Sequence, residues 1–287
     1  MKHFIKYFSD DQTVRLDAFI TERSPEMPYL NAARPAVIVC PGGGYQSCSD
    51  REAEPIALKY AAAGFQAFVL RYTVGKKAVF PTSLIDLGTA IKYVRDNAEN
   101  LNVLPHKIAV CGFSAGGHLT ASLGVYWNDP AVLTACGAVG RELRPDLMIL
   151  GYPVISTSWM ENAGDYPRIS GNPDDPAIYQ KLNLHTAVAK DTPPTFLTHG
   201  VDDEAVPVRD SLKFAAALEA CDVPFELHVF SHGLHGYATA DETTCDERWL
   251  DPALAQWIPL SIAWLKRNFE GGELGRPIEK AHYSSKL

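Results

Sequence analysis

The 287-residue chain has no apolar run long enough to cross a bilayer, which takes about 20 residues in a helix. Its first residues, MKHFIKYFSDDQ, also lack the continuous apolar core of a secretory signal peptide. The sequence therefore predicts a cytoplasmic location and no membrane partner.

Paired cysteine motifs and basic clusters are missing as well. None of the six cysteines forms a CxxC pair, so we expect free thiols in a reducing compartment and no bound metal. The net charge is −8, and no cluster of lysine and arginine stands out against it. Because an acidic surface repels phosphate groups, the composition excludes nucleic acid as a partner.

The sequence has no internal repeat, low-complexity tract or Gly/Ser-rich linker that would divide it. Chains of this length often form a single α/β domain. We therefore predict one domain over residues 1–270, followed by a C-terminal tail at 271–287.

What the chain does contain is an alternation of strand-like and helix-like segments. Residues 3–8 and 13–20 alternate in character and predict an antiparallel strand pair. From residue 36 onward, apolar strands alternate with helices, which indicates a doubly wound, mostly parallel sheet. The predicted strands are 36–40, 65–72, 107–112, 146–154, 194–200 and 225–230, and the predicted helices are 55–63, 82–98, 115–127, 208–220 and 253–269.

The loops at the carboxyl ends of these strands are where such folds place their chemistry. They are predicted at 41–50, 113–115, 201–206 and 231–237. Residues 154–192 show no clear strand and are rich in Pro, Asp and Asn. We expect them to form a small polar insertion over this edge of the sheet.

The segment Gly112-Phe113-Ser114-Ala115-Gly116 fits the pattern G-x-S-x-G and lies between a predicted strand and a predicted helix. This pattern is typical of a nucleophile elbow, a sharp turn that strains the serine backbone and leaves no room for side chains at the flanking glycines. The N-terminus of the following helix adds partial positive charge near a developing oxyanion. Ser114 is therefore predicted to be a nucleophile.

A glycine run, Pro41-Gly42-Gly43-Gly44-Tyr45, directly follows the strand predicted at 36–40. Backbone N–H groups of consecutive glycines can approach an oxyanion, and a glycine-rich loop after an early strand has this role in α/β-hydrolases. A phosphate-binding loop is the alternative, but the G-K-[ST] ending and the GxGxxG spacing are both absent.

Carboxylates and a histidine follow the last two predicted strands in the order that a serine triad of this fold requires. The first of these loops carries Asp202, Asp203 and Glu204, and the second carries His235. The imidazole takes the serine proton, and one carboxylate holds its tautomer. The remaining histidines of the site region and its surroundings are expected to be structural or surface residues: His118, His185, His199, His228 and His232.

With these residues in place, the chain resembles the acetyl esterase and acetylxylan-esterase-like branch of the α/β-hydrolases, which is related to the hormone-sensitive-lipase type. The resemblance covers about residues 36–270. It depends on the stretches PGGGY with REAEPIA, FVLRY, GFSAGGHL, RPDLMILGYPV, PPTFLTHGVDDEAVP and GLHG.

The resemblance implies a role for each matching position. Ser114 matches the nucleophile, His235 the base, and Asp203 the acid, four residues after the histidine of the His-Gly pair. The positions that match the oxyanion donors are Gly43, Gly44 and Ala115. Related lipases begin the glycine loop with His where this chain has Pro41, a difference that concerns the subfamily rather than activity.

The implied function is a serine carboxylesterase that hydrolyses short-chain, mainly acetyl, esters of sugars or small alcohols through an acyl-serine, without a metal or cofactor. The implied partner is a small-molecule ester, for example an acetylated saccharide. Whether the protein forms homo-oligomers stays open. An arylformamidase-like amide hydrolase and a lipase of the same fold are alternatives. A non-catalytic binding module is a third. The terminal Ser285-Lys286-Leu287 is a peroxisomal address only in a eukaryote, and the family is largely bacterial.

Overall fold

An eight-stranded sheet forms the centre of the computed structural model, which describes residues 1–26, 32–157, 166–172 and 174–270. The strand order is β1-β2-β4-β3-β5-β6-β7-β8. The strands are β1 (Lys2–Tyr7), β2 (Arg15–Ile20), β3 (Arg34–Cys40), β4 (Gln66–Arg71), β5 (Val103–Phe113), β6 (Leu147–Gly151), β7 (Thr195–Gly200) and β8 (Phe225–Phe230).

The direction of the strands divides the sheet into two parts. β1 pairs with β2, and β2 pairs with β4, in antiparallel fashion. All pairings from β4 through β3, β5, β6 and β7 to β8 are parallel. The predicted doubly wound, mostly parallel sheet with an antiparallel N-terminal pair is therefore confirmed.

The helices fall close to the predicted positions. The long ones are α1 (Glu54–Ala62), α2 (Thr82–Asp96), α3 (Ser114–Tyr126), α7 (Arg209–Ala220) and α8 (Trp257–Glu270), and the short ones are α4 (Pro130–Cys136), α5 (Tyr166–Ser170) and α6 (Pro176–Lys181). Helix α4 was not predicted, although Asp129 caps it by accepting the backbone N–H groups of Ala131 and Val132.

The predicted insertion at 154–192 contains α5, α6 and a 3-10 turn at Leu184–Ala187, and no strand among its described residues. Residues 158–165 and 173 lie outside the described residues, as does the predicted tail at 271–287. The division into one domain and a tail stays a prediction.

The core lies on both faces of the sheet because successive strand side chains point to opposite sides. In β3, Ile38 belongs to the cluster with α2 and α3, whereas Val37 and Val39 belong to the cluster with α1 and α8. On α2, Leu84, Leu87, Ile91 and Val94 form one helical face and are buried. Each such side chain contributes about 1.5–3 kcal/mol on burial.

The parallel register brings the carboxyl ends of β3, β5, β6, β7 and β8 to one edge of the sheet. The loops that carry the candidate residues leave from this edge. No helix in the described ranges combines the length and apolar character needed to traverse a bilayer.

Candidate active site

The turn between β5 and α3 has the geometry of a nucleophile elbow. Ser114 has a φ of 51°, a left-handed conformation that is strained for a residue with a side chain. A Cβ on Gly112 would lie 2.2 Å from the carbonyl oxygen of Gly116, and one on Gly116 would lie 2.1 Å from that of Cys40. Both glycines of the G-x-S-x-G pattern are therefore required by close backbone packing.

Three of the predicted site residues form a continuous hydrogen-bonded chain. The Oγ of Ser114 lies 2.8 Å from Nε2 of His235, and Nδ1 of His235 lies 2.7 Å from Oδ2 of Asp203. An ionised carboxylate only accepts, so Nδ1–H donates to Asp203 and Nε2 is left to accept the hydroxyl proton of Ser114. This arrangement can activate the hydroxyl as a nucleophile.

Asp203 is held from several sides. Its side chain is fully buried, and Oδ1 accepts the backbone N–H groups of Ala205 and Val206 at 3.0 and 2.8 Å. Burial raises the pKa of this carboxyl, but hydrogen bonds from His199 and His235 outweigh it, and the pKa lies below its usual 3.8. Asp203 is therefore ionised at neutral pH.

The neighbouring acids point elsewhere. Asp202 accepts the backbone N–H of Gly233 at 2.6 Å, with His232 3.3 Å away. Glu204 is exposed. Among these three adjacent acids, the structure thus brings Asp203 to His235.

The expected structural role of His199 is a specific one. This buried imidazole donates Nε2–H to the carbonyl oxygen of Val206 at 2.8 Å and accepts the hydroxyl of Ser211 at 2.7 Å. Its Nε2 also lies 3.4 Å from Asp203. The two residues are only four positions apart in the sequence, but the turn that brings their side chains together is visible only in the folded chain.

The glycine loop faces the same cleft, an open depression of about 310 Å³ that includes Ser114 and His235. Gly43 and Gly44 line it, with φ values of 126° and 59° that favour glycine. Ala115 is the second residue of α3, so its backbone N–H has no partner within the helix. These placements are compatible with the predicted oxyanion role.

A residue that the sequence analysis missed supports this loop from below. Glu52 is only 3% exposed, and its Oε2 accepts the backbone N–H of Gly42 at 2.7 Å. The carbonyl oxygen of Gly42 in turn accepts the N–H of Ser49 at 2.9 Å. Because both sides of this residue are fixed, the orientation of the following glycine peptides is fixed as well.

The other oxygen of Glu52 reaches the histidine side of the site. Oε1 accepts the hydroxyl of Tyr152 at 2.7 Å, and that hydroxyl accepts the backbone N–H of Ala238 at 3.1 Å. The ring of Tyr152 packs edge-on against His235, with 5.1 Å between centroids. Burial raises the pKa of Tyr152 well above 10, so it remains a neutral donor.

Two tryptophans fix the histidine loop from the C-terminal side. Trp249 donates its Nε1–H to the carbonyl oxygen of His235 at 3.0 Å. Trp257, at the start of α8, donates its Nε1–H to the carbonyl oxygen of Ala238 at 2.9 Å.

In the described part of the chain, no three His, Cys, Asp or Glu side chains are arranged to hold a metal ion.

Known proteins resemble this chain over most of its length. The BD-FAE family matches residues 27–218. The chain is 35% identical over 218 residues to endo-1,4-beta-xylanase B from Butyrivibrio fibrisolvens, covering 73% of this chain and 33% of that protein. It is 28% identical over 244 residues to an acetylxylan esterase from Xylanibacter ruminicola, covering 82% of this chain and 46% of that protein. It thus spans less than half the length of these curated relatives.

A solved structure covers the chain more completely. The acetyl ester-xyloside bifunctional hydrolase from Caldicellulosiruptor lactoaceticus has a TM-score of 0.77 and 34% identity, covering 92% of this chain and 95% of that one. These similarities confirm the α/β-hydrolase fold and the resemblance to acetylxylan-esterase-like hydrolases that the sequence motifs indicated.

Proposed function

The chain belongs to the BD-FAE family, and from that premise we propose that it is a serine carboxylesterase acting on short-chain acyl esters, acetyl esters foremost. The observation that carries the proposal is the unbroken chain of hydrogen bonds from Ser114 through His235 to Asp203, at the wall of an open cleft.

In the proposed reaction, Oγ of Ser114 attacks the ester carbonyl while Nε2 of His235 takes its proton. The negative charge of the tetrahedral intermediate rests on the backbone N–H groups of Gly43, Gly44 and Ala115. His235 then returns the proton to the departing alcohol, and an acyl-serine remains. A water molecule, deprotonated by His235, then attacks the acyl group. The bond to Oγ of Ser114 breaks, His235 returns the proton to Oγ, and the carboxylic acid is released.

Relatives support the choice of acyl group and alcohol. One of them is named for acetylxylan and another for acetyl esters and xylosides. The proposed natural substrate is therefore an acetylated saccharide, and the proposed location is the cytoplasm. The cleft is open at the nucleophile, which suits a short acyl group on a bulky alcohol.

The test combines active-site labelling with a substrate panel. A fluorophosphonate probe should label the wild-type protein at Ser114 and leave Ser114→Ala unlabelled. Among p-nitrophenyl esters, acetyl and propionyl should be cleaved faster than octanoyl, and acetylated xylo-oligosaccharides should release acetate. No labelling would favour a non-catalytic binding module, preference for octanoyl esters a lipase, and faster cleavage of N-formyl aryl amides an arylformamidase.

A further inference from the structure

One cationic side chain, that of Arg51, stands among the described residues that line the cleft. We propose that Arg51 forms a subsite for the alcohol portion of the substrate and that it selects alcohols carrying a carboxylate, such as a hydroxy acid or an acetylated sugar acid. This proposal rests on the proposed esterase function and adds a substrate class to it.

The guanidinium is fixed beside the catalytic histidine. A Cβ on Gly236, the residue after His235, would lie 3.1 Å from Nη2 of Arg51, so the missing side chain leaves room for the guanidinium. Its Cζ lies 5.0 Å from the ring centroid of Trp249, the residue that donates to the carbonyl oxygen of His235. This stacking holds the cation at a set place relative to the base.

The carboxylates around Arg51 are already committed to other groups. Asp50 pairs with Arg71 at 2.8 Å, and Asp246 pairs with Arg248 at 3.1 Å. Both oxygens of Glu52 accept hydrogen bonds from neutral donors. The charge of Arg51 still acts on Asp246, since it helps to keep the pKa of that carboxyl below 3.8. Within the described ranges no carboxylate forms a direct ion pair with Arg51, so the donors of its guanidinium fork remain free for a ligand. Such a fork matches a carboxylate with two parallel hydrogen bonds.

The position of Arg51 selects the alcohol rather than the acyl group. His235 must reach the alcohol oxygen to return the proton, so the alcohol departs on the histidine side of the tetrahedral centre. The oxyanion lies on the opposite side, toward Gly43 and Gly44. Arg51 packs against the backbone next to His235 and therefore faces the departing alcohol.

The overall charge of −8 makes this placement selective. An acidic protein repels anions at long range, and only a nearby cation with free donors offsets that repulsion in the cleft. A hydrogen-bonded charge pair changes binding by about ten- to hundredfold. We expect this preference to weaken as salt screens the partly exposed pair.

The test uses two aryl acetates of similar shape, 4-acetoxybenzoate and 4-acetoxybenzamide, whose departing phenols differ in carrying a carboxylate or a neutral amide. The measured quantity is the ratio of their kcat/KM values. Comparing this ratio between variants cancels the intrinsic difference between the two phenols. Arg51→Met should lower the ratio about tenfold, because it keeps the stacking volume and removes the charge. The ratio for Arg51→Lys should lie between those of the wild type and Arg51→Met, since lysine keeps the charge but lacks the two parallel donors of the guanidinium.

Arg248→Met is the matched control. Arg248 stacks on the same Trp249 at 4.3 Å, but it is paired with Asp246 and does not line the cleft. Its variant should keep the wild-type ratio within about twofold. Melting temperatures of all variants show whether each one is folded, and the lysine variant keeps the test open if the methionine variant is not.

Two results would overturn the subsite. Equal losses of kcat/KM on both substrates in Arg51→Met would mean that Arg51 contributes only packing. An equally lowered ratio in Arg51→Met and Arg248→Met would mean that the preference comes from the overall positive charge of this surface and not from a subsite at Arg51. Failure of the proposed function looks different: the wild-type protein would cleave neither acetate and Ser114 would not label. That outcome removes the esterase and the subsite together, whereas labelling with no charge preference removes the subsite alone.

Discussion

Two buried carboxylates support the surroundings of Ser114, and the fold uses them differently. Asp203 accepts from the imidazole of His235 and from two backbone amides, so it serves a group whose charge changes during proton transfer. Glu52 accepts from a backbone amide and a tyrosine hydroxyl, which stay neutral throughout. In the proposed mechanism Asp203 therefore controls the protonation of the base, whereas Glu52 controls the position of the glycine loop.

The comparison between the two carboxylates assumes that Ser114 is the nucleophile whose surroundings both of them support. Ser114→Ala should lower kcat for acetyl esters by about 10⁴-fold or more, because no other hydroxyl takes its place. The melting temperature should change little, since one hydroxyl at the wall of an open cleft contributes little packing. Turnover near wild type in steady-state assays would contradict both assignments.

The histidine side should respond next most strongly. Asp203→Asn places an amide where an acceptor is needed, favours the wrong tautomer of His235 and should lower kcat by up to about 10⁴-fold. Asp202→Asn is the matched control, because this exposed neighbour contacts the backbone of Gly233 instead. It should stay within about tenfold of wild type. A crippled Asp202→Asn with an active Asp203→Asn would reverse the assignment.

Substitutions of Glu52, which supports the glycine loop, should lower kcat less than substitutions of Asp203. Glu52→Gln keeps an oxygen for the N–H of Gly42, so we expect a loss of about tenfold in kcat, while Glu52→Ala removes that acceptor and should lose about 10²-fold. KM should change little in both, because a displaced oxyanion donor acts on the transition state. Glu54→Gln, at an exposed position two residues away, is the control. Equal activity in all three variants would leave Glu52 with a packing role only.

The dependence of stability on acid pH distinguishes Asp203 from a second buried group, His118. Burial lowers the pKa of His118 from 6.5 to about 4, so the unfolded chain binds this proton first as the pH falls. The contribution of neutral His118 to the free energy of unfolding is fully present above about pH 6.5. It is lost as the pH falls toward 4, which lowers the free energy of unfolding by about 3 kcal/mol. The pKa of Asp203 lies below 3.8, so its contribution is lost only at lower pH.

Denaturant unfolding at a series of pH values measures the two windows. His118→Gln should flatten the decline between about pH 6.5 and 4, and Asp203→Asn should flatten the part below about pH 4. An unchanged curve for His118→Gln would mean that the imidazole, which contacts Tyr45 and the carbonyl oxygen of Leu182, can be protonated in the folded state.

The sequence predicted what local patterns and chain order determine. Apolar runs located the parallel strands, and the order of serine, acid and histidine pointed to loops that the structure brings together. β5 began earlier than predicted, at Val103, because its pairing with Arg34 precedes a register shift around Pro105. Pro105 has no backbone N–H to donate to the ladder, and the pairing is irregular in this stretch.

Glu52 could not be predicted because its role depends on distant partners. Its hydrogen-bond partners are ten residues away in Gly42 and one hundred residues away in Tyr152. In the sequence, Glu52 and Glu54 are two similar acids before one helix, and only the folded chain shows that one is buried and the other exposed. For α4 the signal existed in Asp129-Pro130, a typical helix start that had been overlooked.

The distances along the chain also have a consequence for biosynthesis. Ser114 and His235 are 121 residues apart, and the histidine loop is closed by Trp257 at the start of α8. Contacts so far apart form late, and a chain leaving the ribosome folds from its N-terminal end. If Ser114 acts as proposed, a nascent chain that already holds the elbow has no working nucleophile until α8 has been made and packed. The appearance of activity during translation would then mark the completion of the whole sheet.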